Sequence, residues 1–210
     1  IVDGVSAAIA IGSAAKSSAG YGIALGSEAT ATKSWDISIG RYAGANQTTT
    51  QTEGRNIAIG DGALQNAVNP NNNIVMGTGA GDTLNGTANV IIGTYANAKS
   101  QNKDSNGVAN SVVASNVVAV GDRALATSGS AVSIGSRTQA TGGSSVAIGV
   151  TAKANASYAI AQGSNAQATA ANSVAIGGAG NETSSSRATN AFATAVGFNS
   201  ASSGRNATAL

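Results

Sequence analysis

The stretch SSVAIGVTAKANA, residues 144–156, is almost entirely small or aliphatic, and the chain repeats it. AIAIG (8–12), RNIAIG (55–60) and NSVAIG (172–177) are near copies. Aligned on the closing glycine, the phrase occurs at Gly12, Gly26, Gly40, Gly60, Gly77, Gly93, Gly121, Gly135, Gly149, Gly163, Gly177 and Gly197. The shortest and commonest interval is 14 residues, and the longer ones read as that unit plus an insertion. Between Gly93 and Gly121, Gly107 falls where another closing glycine would sit. The Asp104-Ser105-Asn106 before it cannot make an apolar strand, so this stretch reads as an insertion. A fixed short period is the signature of stacked repeats.

The columns of the alignment describe the unit. Three residues before the glycine stands Ile or Val in every unit but that of Thr194, and one residue before it an apolar side chain in all but that of Gln162. Between them sits Ala or Ser, with Val75 and Ile91 as exceptions. Large, small, large is the alternation of an extended strand, whose side chains point to opposite faces. After the glycine, alanines at alternate positions (Ala29 and Ala31, Ala152 and Ala154) read as a second short strand. The spacing therefore predicts an all-β, parallel β-roll of about twelve coils, each strand, glycine turn, strand, turn. Every coil pairs with the next along an axis. The large residues are expected to point inward and the Ala/Ser column outward.

Composition agrees and excludes much chemistry. Only 10% of the 210 residues are charged and 3% aromatic, beside 28 glycines and a single proline, Pro70. A core must then be made of Ala, Val and Ile packed closely. The net charge of +2 is too small for a nucleic-acid surface, which needs a clustered basic face. Cysteine is absent, so there are no disulfides and no thiolate metal site, and histidine, the commonest general base, is absent too. No cofactor, metal or catalytic residue is expected, and the chain reads as a non-enzyme. A small, uncharged outward column suggests contact with another copy, because a lone thin roll buries little apolar area for its backbone entropy. Ala10, Ala24, Ala58, Ala119, Ala147 and Ala175 are the expected interface.

NSVAIG, the fourteen-residue period and the Ala-x-Ala echo after the glycines resemble the head domain of trimeric autotransporter adhesins, the YadA-like surface proteins of Gram-negative bacteria. The resemblance runs from about Ala8 to Leu210. It implies a left-handed parallel β-roll, three subunits side by side as a homotrimer, and display on the cell surface at the outer membrane. It also implies adhesion to host extracellular matrix (collagen, fibronectin, laminin) or host cells, and bacterial autoaggregation. The family's neck, coiled-coil stalk and C-terminal membrane anchor are not found in residues 1–210, so the chain is expected to be a fragment cut inside the head. The family's collagen-associated phrase is NSVAIG followed by two residues and a serine. Asn172 to Gly177 match it, and Gly180 stands in place of the serine. The competing reading is a structural or receptor-binding segment of a trimeric phage tail fibre.

Other motifs carry less. GTGAGDTLNG (77–86) resembles a phosphate-cradling loop or a calcium-binding β-roll repeat, but it lacks a loop lysine and a following helix, and tandem copies. Five residues before their glycines lie Tyr21, Trp35, Tyr158 and Phe192, with Arg55 next in the column after Trp35. Stacking should set Tyr21, Trp35 and Arg55 in a row ending in a cation–π contact, either a ligand-binding strip or a cap on the edge of the roll. Polar insertions at 46–54, at 99–111 (with Lys99 and Lys103) and at 181–190 are the alternative ligand contacts.

Overall fold

The computed structural model describes residues 7–48, 53–97 and 114–210. The chain divides into two compact units, Ile1–Asn116 and Val117–Leu210. Both are parallel β-solenoids, and among the described residues there is no helix to cross a membrane.

In the first unit six short strands form the main wall: β1 (Ile9–Ile11), β3 (Ile23–Leu25), β5 (Ile37–Ile39), β6 (Ile57–Ile59), β8 (Ile74–Met76) and β10 (Val90–Ile92). They pair parallel in that order. The opposite side carries β2 (Lys16–Ser17) on β4 (Thr30–Ala31), and β7 (Val68–Asn71) on β9 (Asn85–Thr87). In the second unit the main wall is β11 (Val118–Val120), β13 (Val132–Ile134), β15 (Val146–Ile148), β17 (Ile160–Gln162), β19 (Val174–Ile176), β21 (Thr194–Val196) and β23 (Thr208–Ala209). Its second wall is β12 (Leu125–Ala126), β14 (Gln139–Ala140), β16 (Lys153–Ala154), β18 (Gln167–Ala168), β20 (Arg187–Ala188) and β22 (Ala201–Ser202). The repeat sets the register: Val146 lies beside Ile160 and Ala147 beside Ala161. The alignment survives an insertion, since Ile37 pairs with Ile57.

The structure reverses the expected faces. Ala24, Ala58, Ala119, Ala147 and Ala175 are buried inside the roll, and Ala10, on the first described wall strand, is half-buried. The flanking Ile and Val residues face out and are half-buried or exposed, among them Val174 and Ile176. Across the interior, the alanines of the second wall (Ala126, Ala140, Ala154, Ala168, Ala188) are buried as well. Short turns join the two walls within a fourteen-residue coil, and that leaves room for a methyl from each side. Isoleucine on both inner columns would force the walls apart and break the turns. The alanine column is therefore the core of the roll and is not available to a second copy.

Where the coils lengthen, the interior widens. The coils that follow Gly40, Gly60 and Gly77 are 20, 17 and 16 residues long and make broader turns, and here Leu64, Val75, Leu84 and Ile91 are fully buried. Val75 and Ile91 are the two inner positions where alanine would leave a void.

Asn172 takes the left-handed conformation (φ 56°), which asparagine tolerates well. The buried Ser173 hydroxyl donates to the Ala170 carbonyl at 2.6 Å and closes the turn. Ala175 faces in, and Val174 and Ile176 face out. Gly177, at φ 136°, turns the chain where a side chain would strike the next coil. The same geometry makes Gly149 irreplaceable: its φ is +122°, and a Cβ would lie 2.7 Å from the Gly163 carbonyl carbon. Gly149→Ala should cost at least about 2 kcal/mol from backbone strain alone, read by urea unfolding. Gly143→Ala is the control and should be nearly silent, because a Cβ there meets nothing closer than the Ser157 hydroxyl at 3.9 Å.

Candidate functional site

Each coil bends through a left-handed residue five places before its glycine. Tyr21 (φ 61°), Trp35 (62°), Arg55 (49°), Tyr158 (60°) and Phe192 (61°) hold the position that Asn72, Asn116, Asn172 and Asn206 fill elsewhere. Asparagine accepts this region more readily than a ring does, so the aromatics are not there to ease the turn.

The structure brings the expected row together. The Tyr21 and Trp35 rings stack with centroids 5.9 Å apart and planes within 5°. The Arg55 guanidinium lies 5.1 Å from the Trp35 ring centroid. Its far side meets Glu53 at 2.7 Å, an exposed ion pair that orients Arg55 more than it stabilises the fold. Tyr21 and Trp35 remain 55% and 44% exposed, too open to act as plugs over the core. Tyr158 and Phe192 are also exposed but stand apart, separated in their column by Asn172, and Phe192 meets Arg205 at 5.9 Å.

The insertions differ in outcome. Lys99 and Lys103 lie outside the described residues, as do 49–52 of the first insertion. The third insertion is well organised, and its end belongs to the wall as β20. Asn181 accepts from the Ser184 backbone at 2.8 Å, and Ser185 donates to the Asn165 carbonyl at 2.6 Å. Glu182 reaches over the second wall to Lys153 at 2.5 Å and Gln167 at 3.0 Å, and the Lys153 ammonium holds its carboxyl below the ordinary value.

One arrangement was not anticipated from the sequence. Asp36, Asn56, Asn73 and Asn89 occupy one column of successive coils and form a buried ladder. Asn56 Nδ2 donates to Asp36 Oδ1 at 3.0 Å, Asn73 Nδ2 to Asn56 Oδ1 at 3.0 Å, and Asn89 Nδ2 to Asn73 Oδ1 at 2.9 Å. Each amide also donates across the roll, to the carbonyls of Pro70, Gly86 and Ala114. Lys33 runs beside the ladder, fully buried, and its Nζ donates to the Pro70 carbonyl at 2.5 Å. Burial pushes the Lys33 amine down and the Asp36 carboxyl up, each against the partial relief of the other's charge. Asp36 Oδ2 is buried without a hydrogen bond. The run Asp, Asn, Asn, Asn at four residues before the glycine was the available signal.

In class, the chain is a parallel β-solenoid of short repeats, a scaffold whose outward side chains are free to vary. Residues 7–29, 140–166, 154–179 and 188–210 match the YadA head domain repeat. The match supports a YadA-like head domain, of the kind carried by trimeric autotransporter adhesins. A comparison with curated proteins gives no match.

Proposed function

We propose that this domain is the adhesive head of a fibre on the outer membrane of a Gram-negative bacterium. It works as a homotrimer that attaches the cell to host matrix proteins (collagen, fibronectin or laminin), to host cells or to other bacteria. The repeat match carries this reading and favours it over a phage tail fibre. The outward Ile/Val columns support the assembly: Ile134, Ile148 and Ile160 are 38%, 36% and 37% exposed on neighbouring strands of the second unit. Continuous apolar surface of this kind marks an interaction site, and it replaces the alanine column as the subunit contact. Adhesion then depends on side chains the fold does not need, and no catalysis is involved.

Tyr21, Trp35 and Arg55 are the first such candidates, with Lys99 and Lys103 of the 99–111 insertion as the alternative. Trp35→Asn combined with Arg55→Ala should weaken attachment by about 2 kcal/mol per site or more, multiplied in avidity by three copies. The roll should keep its stability, because asparagine suits the left-handed turn. Retention on immobilised collagen, fibronectin and laminin reads the first, and thermal unfolding the second. Unchanged retention, with binding lost on deletion of 99–111, moves the site to the insertion. No retention on any matrix protein or cell surface by the parent chain defeats the adhesin reading.

A further inference from the structure

The broad turns of the first unit enclose an open cleft of about 320 Å³, away from the aromatic row. Its frame is a second column, two residues after the closing glycine: Tyr42, Gly62, Gly79 and Tyr95. Backbone bonds stack this column in register, Gly62 N–H to the Arg41 carbonyl, Gly79 N–H to that of Asp61 and Tyr95 N–H to that of Thr78, each 2.8 Å. At about 4.8 Å per coil, two tyrosines thus stand about 14 Å apart over a glycine floor. The Tyr95 ring leans onto that floor, where a Cβ on Gly79 would meet Tyr95 Cε1 at 2.5 Å. It is 39% exposed, a fixed aromatic surface.

The polar groups around the cleft are equally fixed. Arg41 grips Asp61 with both prongs, Nε to Oδ1 at 3.2 Å and the terminal nitrogen to Oδ2 at 2.7 Å, and its guanidinium lies 5.3 Å from the Tyr42 ring centroid. The hydrogen bond and charge of Arg41 hold the Asp61 carboxyl below its usual range, so it stays ionised. Asp82 accepts from Asn66 Nδ2 at 3.1 Å, and Gln65 completes the lining.

We propose that this cleft is a binding subsite for a neutral saccharide, a hexose or N-acetylhexosamine unit. The C–H face of a pyranose ring would lie on Tyr95. Its hydroxyls, each both donor and acceptor, match carboxylates, a carboxamide and a guanidinium set at fixed angles, the sparse, placed polar groups of a small-ligand site. The charge favours a neutral unit, because Asp61 and Asp82 outnumber an Arg41 already committed to Asp61. The inference names a ligand class within the adhesin reading and rests on it for biological sense alone.

The test is saturation-transfer NMR on the full chain with glucose, galactose, mannose, N-acetylglucosamine and N-acetylgalactosamine, and sialic acid as the anionic comparison. At least one neutral sugar should bind, and Tyr95→Asn should weaken it by about tenfold or more, as loss of an aromatic anchor does. That replacement suits the left-handed turn at Tyr95 (φ 53°) and spares the fold, as circular dichroism would verify. Asp82→Asn should weaken the neutral sugar too. The proposal is overturned if no neutral sugar binds, if sialic acid binds best, or if Trp35→Asn abolishes sugar binding while Tyr95→Asn does not. Matrix and cell attachment by the parent chain, measured in parallel, tells failure of this site from failure of the adhesin reading.

Discussion

Ile134→Glu with Ile148→Glu should yield a folded monomer, whereas Ala147→Glu should yield no folded chain. The two isoleucines pair on adjacent strands of the outer face, and glutamate there meets water in a lone subunit. In a trimer the same carboxylates would be buried without partners, at several kcal/mol each. Sedimentation should give about 20.1 kDa in place of three times that mass, with the parent's circular dichroism. Ala147 is fully buried between two alanine walls, so a carboxylate there would be both unpaired and oversized. A double variant that stays trimeric would put the subunit contact elsewhere on the coil. An Ala147→Glu chain that folded as a monomer would overturn the assignment of faces.

The pair Lys33 and Asp36 should behave in the opposite way from an ordinary stabilising contact. They are the charged residues fully buried among those described, and burial works against both charges. With its folded pKa raised, Asp36 contributes stability that is complete below its unfolded value, near 3.8, and is lost as pH rises through the folded value. Lys33, with its folded pKa lowered, contributes stability that is present above 10.5 and lost as pH falls through the folded value. Between those two folded values both residues are charged, both contributions are missing, and the pair is a net cost. Lys33→Met alone should lose about 3 kcal/mol at pH 7, since it strands the carboxylate. The loss should shrink as pH falls through the folded value of Asp36, where the carboxyl takes up a proton. Lys33→Met with Asp36→Asn should gain about 1–2 kcal/mol over the parent at pH 7. The ladder persists in that variant, because the amide oxygen introduced at position 36 would still accept from Asn56, and Asn56 still caps the Pro70 carbonyl. Urea unfolding at pH 4 and pH 7 reads all three chains. A double variant less stable than the parent would mean the charges support the roll.

Glycine spacing alone was enough to establish a stack of parallel coils, because coils of equal length place residue i beside residue i+14. The same rule put Tyr21 over Trp35 in advance, and the ring stack follows from it. It works less well through the first unit, where glycine intervals of 20, 17 and 16 residues hide which side chains share a column. The ladder from Asp36 to Asn89 and the cleft between Tyr42 and Tyr95 both lie there, and both emerge only once the broad turns are in place.

The inward face was the reading that could not be made from alternation. A strand written Val-Ala-Ile has one face of Val and Ile and another of Ala, and period two is indifferent to which is buried. The usual preference for burying the larger residue favours Val and Ile. Here the distance between walls overrides it: turns of a few residues hold the walls so close that only methyl groups fit between them. The sequence by itself determined the repeat, the strand positions and the rows of stacked side chains. The tertiary structure decided that alanine makes the core and that isoleucine lies on the outer face, since wall spacing is a property of the closed coil and of no single strand.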